Sequence, residues 1–155
     1  MTKLLIVSAS SKIEVAPATP VPALQRFDGA FVKQIRKYHQ SLQNVDVLML
    51  SPVYGLVAAE ERLASKEPFG GHWNRLALSE DDIIRLRQPS LQKIRYLLEK
   101  NDYEEVYLNL GTELSKIIEG FELMLPKTTR VIYAQGKGMG PKMAHMKRWL
   151  IENTK

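Results

Sequence analysis

Four polar loops hold the residues of this chain that could do chemistry, and each follows a short apolar run. After Leu4-Leu5-Ile6-Val7 come Ser8, Ser10, Ser11 and Lys12, whose hydroxyls and ammonium suit a phosphate or the polar edge of a base. The second loop, Ser51-Pro52-Val53-Tyr54-Gly55-Leu56, offers a hydroxyl, a phenol able to stack on a base, and a permissive glycine, with Glu60 or Glu61 following as a carboxylate for proton transfer. Gly111-Thr112-Glu113 forms the third, and the alternative for Thr112 is a plain helix N-cap. The fourth, Gly136-Lys137-Gly138-Met139-Gly140-Pro141-Lys142, lies between an apolar run and a helical pattern, so its amides can face an anion at a helix N-terminus between two lysines. Together these point to anion binding, with Glu113 and Glu61 as the acid/base candidates.

Each signal has a purely structural alternative. The glycine run can be a tight turn, Tyr54 can cap the core, and the first loop can be solvated. The glycine run is not a Walker A loop, which needs Gly-Lys followed by Ser or Thr, and Pro141 removes one donor amide. It is also a poor dinucleotide fingerprint, because too little chain follows to supply a ribose-binding acid. No Gly-x-Ser-x-Gly elbow is present, so a serine hydrolase is not expected. His39, His72 and His145 share no ligand spacing, and cysteine is absent, so neither a metal site, a disulfide nor a cysteine nucleophile is expected, and no cofactor is implied. His72, beside Trp73 in the loop Pro68-Phe69-Gly70-Gly71-His72-Trp73, is the one histidine placed as a ligand contact or general acid.

The elements that must position these loops follow from periodicity. Strands are predicted at 3–9, 45–50, 106–110 and 130–134 from short, partly β-branched apolar runs. Helices are predicted at 25–42, from apolar residues three and four apart with Lys33, Arg36 and Lys37 on the outer face, at 79–100, at 112–121 and from Pro141 to Asn153. Ser79-Glu80-Asp81-Asp82 is a helix start, and Pro89 predicts a kink or two abutting helices, with Ser90 available as a second cap. Strands alternating with helices predict one α/β domain over residues 1–155, a three-layer α/β/α sandwich with a mostly parallel four-stranded central sheet. Its loops would gather at the C-terminal ends of the strands, where such folds bind ligands.

The chain has 155 residues and a net charge of +5, from 22 Lys and Arg against 17 Asp and Glu. That balance favours an anionic small molecule or nucleic acid as partner. The excess is concentrated late, where Lys137, Lys142, Lys147, Arg148 and Lys155 face only Glu152. No apolar run approaches the ~20 residues of a membrane span, so no membrane partner and a cytoplasmic location are expected.

The string Leu50-Ser51-Pro52-Val53-Tyr54-Gly55-Leu56, together with Lys12, the segment Pro22-Ala23 to Phe31, and the glycine run before Met143 to Leu150, resembles a family of small bacterial and phage domains. That family is related to YaaA-type proteins and to the uracil-DNA-glycosylase-like module of archaeosine synthase. Ser8 and Ala9 stand where its pattern has cysteine and serine, so no thiol chemistry carries over. The resemblance implies an α/β/α fold and nucleobase or nucleic-acid chemistry. The leading expectation is therefore a domain binding a nucleotide, modified nucleobase or nucleic-acid end at the strand-end cleft, as a modifying enzyme or an enzyme-like domain. Lys12, Lys137 and Lys142 would meet phosphate, and Ser51 and Tyr54 the base or sugar. The alternative is a non-catalytic nucleic-acid-binding module using the basic C-terminal helix, and a third reading makes 68–73 a contact for another chain.

Overall fold

The computed structural model describes residues 2–9, 20–27, 29–63 and 79–154. Lys12, Ser10, His72, Trp73 and the 68–73 loop lie outside them. The first strand, β1 (Thr2–Ser8), is central and buried on both faces, as its continuous apolar run requires. A two-residue strand β2 (Val21–Pro22) leads into a single turn, α1 (Ala23–Arg26), and then α2 (Ala30–Tyr38). The helix predicted over 25–42 is thus broken. Phe27 and Gly29 are extended, and Phe27 is fully buried in the core, so the chain leaves the helix to deliver that ring. Arg36, expected on the outer face, turns back to donate from Nη2 to the Phe27 carbonyl at 3.0 Å.

Next comes β3 (Val45–Ser51), followed by β4 (Gly55–Ala58), β5 (Arg62–Leu63) and α3 (Glu80–Lys100). The last elements are β6 (Tyr103–Asn109), α4 (Thr112–Ser115), β7 (Arg130–Tyr133) and α5 (Met139–Glu152). The central sheet is mostly parallel and has five strands in the order β4-β3-β1-β6-β7, one more than predicted. The additional strand is antiparallel β4, which pairs with β3 from Leu48↔Ala58 to Ser51↔Gly55. Its four residues follow a Ser-Pro turn too closely to register as a separate apolar run.

Side-chain alternation divides the core into two layers, giving an α/β sandwich. Leu5, Val7, Val47, Met49 and Tyr107 pack under α1, α2 and α5, with Trp149 and Leu150 above them. Leu4, Ile6, Leu48, Leu50, Val106 and Leu108 pack under α3 and the turns after α4, against Leu86, Ile94 and Phe121. The β1-to-β3 and β4-to-β6 connections run in opposite directions and use opposite faces, as a shared crossover handedness requires.

Helix α3 runs through Pro89 as one 21-residue helix, in place of the expected alternative of two abutting helices. Its start is the predicted one: the Ser79 hydroxyl accepts from the Asp82 amide at 3.1 Å, and the Asp82 carboxylate accepts from the Ser79 amide at 3.3 Å. These bonds hold the Asp82 carboxyl below its usual range. Ser90 does not cap a second helix. Its buried hydroxyl donates to the Leu86 carbonyl at 2.7 Å and accepts the Leu56 amide at 3.2 Å, tying α3 to the edge strand β4.

Candidate ligand cleft at the strand ends

All four parallel strands end on the same edge of the sheet, and connections from β1 and β6 leave it toward opposite faces. The boundary between β1 and β6 is therefore the topological switch point, the place where open α/β sheets form a crevice. There the Ser8 hydroxyl accepts the Gly111 amide at 2.8 Å, so the first and third predicted loops meet. Gly111, not Thr112, is the N-cap of α4, and Thr112 is the first helical residue.

Beside this junction, at the ends of β6 and β7, lies a cleft of about 430 Å3. Leu108, Ile118 and Phe121 give it apolar walls, while Thr112, Ser115 and Tyr133 contribute three hydroxyls. Lys116 and Lys142 supply positive charge, and Glu119 and Glu122 balance it. The Tyr133 phenol donates to Glu122 Oε1 at 2.8 Å. Burial, reinforced by that carboxylate, pushes the phenol up to about 12, so it is a donor at neutral pH. Asn109, the last residue of β6, is buried and donates from Nδ2 to the Met146 sulfur at 3.4 Å. Of the sequence candidates, Thr112 and Lys142 line this cleft.

The second loop faces a separate cleft. Tyr54, Gly55 and Glu61 line a space of about 350 Å3 shared with Arg85, Ser90 and Lys93 of α3. Two strands separate β3 from β7, so this loop and the glycine run lie about 14 Å apart at ~4.8 Å per strand spacing. Ser51 is fully buried, and its hydroxyl accepts the amides of Val53 at 3.0 Å and Tyr54 at 3.1 Å, which forms the turn into β4. Tyr54 packs edge-on to Phe27 at 6.0 Å, and its hydroxyl takes a hydrogen bond from Arg26 Nε at 3.3 Å. Glu61 accepts from Lys93 Nζ at 2.6 Å and from the Ala58 amide at 3.3 Å. Glu113 pairs with Lys116 at 3.2 Å, outside the lining of either cleft.

The glycine run is an exposed turn whose conformation demands its glycines. Gly136 has φ +119°, and a Cβ there would stand 2.3 Å from that of Pro141; Gly138, at φ +83°, is the N-cap of α5. Lys137 and Gly140 are exposed beside it. Sequence reasoning missed Asn109, Ser115, Lys116, Glu122 and Tyr133. A polar residue closing an apolar strand is a usable signal for Asn109 and Tyr133, whereas Ser115 reaches the cleft at the end of the short helix α4, and Lys116 and Glu122 only through the 3-10 turns at Lys116–Ile118 and Phe121–Met124. No helix among the described residues is long and apolar enough to cross a membrane, and no group of three metal-ligating side chains occurs among them.

A mostly parallel α/β sandwich with its cleft at the strand ends is the class these features define. The same fold occurs in the crystal structure of AF0587, a protein of unknown function, at 13% sequence identity and a TM-score of 0.52, over 96% of this chain. The chain spans 44% of AF0587, under half its length. No protein-family model matches the chain, and no curated protein matches it.

Proposed function

We propose that the cleft at the ends of β6 and β7 binds a nucleobase-bearing ligand, a nucleotide or the end of a nucleic-acid strand. The observation that carries this reading is the lining itself. Apolar walls from Leu108, Ile118 and Phe121 suit a base plane, and Thr112 and Ser115 suit its polar edge or a sugar. Lys142, in the first turns of α5, suits a phosphate. A volume of about 430 Å3 falls within the ~300–1,000 Å3 of small-molecule sites. The position at the end of parallel strands supports it. The Tyr133–Glu122 pair supplies a donor and an acceptor for orienting a ligand.

The test is a thermal-shift and calorimetry panel of nucleobases, nucleosides and mononucleotides on the full chain. At a ligand concentration of about 100 Kd, binding should stabilise by ~2.7 kcal/mol, raising Tm by about 5–11 °C. Lys142→Ala should weaken nucleotides while leaving nucleosides unaffected, and Tyr133→Phe should weaken both. A flat panel, or binding unaltered in both variants, would overturn the reading.

A further inference from the structure

The basic surface anticipated on the C-terminal helix is shared between two helices. A furrow of about 370 Å3 runs between α2 and α5, on the opposite side of the sheet from α3. Lys33 and Lys37 of α2 and Lys147 of α5 line it, and no acidic side chain is among the described residues that do. Lys33 and Lys37 are four residues apart, which puts them on one helix face with a rise of about 6 Å between them. The floor is apolar, made by Ala30, Met143 and the half-buried ring of Tyr38. Lys37 Nζ stands 5.8 Å from the centre of that ring. The Gln34 amide donates to the Met143 carbonyl at 3.0 Å, clamping α2 to α5 and fixing the furrow between them.

We propose that this furrow is a single-strand nucleic-acid site, with Lys37 and Lys147 meeting phosphates from its two sides and the Tyr38–Met143 floor carrying a base. Ammonium groups flanking an aromatic and apolar floor are the two parts a strand needs, charge for its backbone and a flat surface for its bases. An acidic peptide would use the charge and leave the flat floor without a matching group. The site is separate from the strand-end cleft and stands whether or not that cleft binds a nucleotide.

The experiment is fluorescence anisotropy of a labelled oligothymidylate of about 12 nucleotides against the full chain over a salt series. Two phosphate contacts at ~0.7 each give a log–log salt slope near −1.4, so affinity should fall about sevenfold between 50 and 200 mM salt. Lys37→Glu/Lys147→Glu should weaken binding about tenfold or more and flatten the slope by ~1.4. The charge-matched control Lys100→Glu/Lys127→Glu, away from the furrow, should leave the slope unchanged. Unaltered melting curves would show both variants folded. The proposal is overturned if the oligonucleotide does not bind at 50 mM salt or if both double variants weaken it equally. It is also overturned if poly-glutamate of matched charge displaces the strand as well as unlabelled oligothymidylate does, because the furrow would then take any polyanion.

Discussion

Replacing Glu105 by glutamine tests whether the buried carboxylate at the opposite edge of the sheet holds α5, and with it the loop that frames the cleft. Glu105 is 2% exposed on β6. Its Oε2 accepts the Trp149 indole N–H of α5 at 2.6 Å, its Oε1 accepts from Arg130 of β7, and Lys3 stands 3.9 Å away. Burial alone would raise its pKa. The hydrogen bonds from Trp149 and Arg130 and the charges of Lys3 and Arg130 outweigh burial and lower it. In Glu105→Gln the Arg130 side chain, 72% exposed, turns to water, and the Lys3 ammonium keeps its hydrogen bond to Asn153 Oδ1 at 2.8 Å, so neither cation is left without a partner. The buried Trp149 bond loses its charge assistance, which separates bonds worth about 1.5–3 kcal/mol from neutral ones worth about 0.5–1.5. A loss of about 1.5 kcal/mol lowers Tm by about 3–6 °C for a chain this long. A depressed carboxyl stabilises fully above the unfolded value near ~4.3, and that stabilisation disappears as pH falls through the folded value. The gap between parent and variant should therefore be full at pH 7 and close below about pH 4. Asp82 titrates in the same direction but is common to both proteins. Calorimetric melts at several pH values measure the gap, and no gap at pH 7, or one as large in acid, would refute the reasoning.

Ser90→Ala should cost about 1–3 kcal/mol in urea unfolding, because the buried Leu56 amide loses its acceptor, and hydrogen exchange at Leu56 should quicken. Gly136→Ala should destabilise more than Gly138→Ala: both require positive φ, worth about 1–2 kcal/mol, but only the first also drives a Cβ into Pro141. Paired thermal melts give the ordering, and the reverse order would contradict it.

Much of the scaffold is legible in the sequence because local chemistry and tertiary structure agree there. The apolar runs at 4–7, 47–50 and 106–108 are buried strands, and Ser79 to Asp82 is a capping box. Where they diverge, a long-range partner decides. Phe27 breaks a helical pattern to fill the core, and β4 exists because β3 pairs with it and Ser90 secures its outer amide. Pro89 is accommodated within a helix held by its own packing, with Leu86 and Ile94 buried against the sheet. The candidate cleft is legible in the sequence only at the level of an edge. That the loops after parallel strands share that edge follows from the alternation of elements, but which of them share a cleft depends on strand order. The order separates Tyr54 from Lys142 and brings Ser8 to Gly111. Ser51 and Glu61 show the limit of residue type as a guide, since the hydroxyl forms a turn and the carboxylate holds Lys93.

The central claim concerns one location, so amide chemical shifts of the isotope-labelled chain during titration with a mononucleotide test it most directly. Binding at the strand-end cleft predicts saturable changes at Gly111, Thr112, Ser115, Ala134 and Lys142, with the amides of Glu105 and Arg130 unmoved. Saturable changes confined to the Tyr54–Lys93 cleft, or none at any nucleotide concentration, would contradict it.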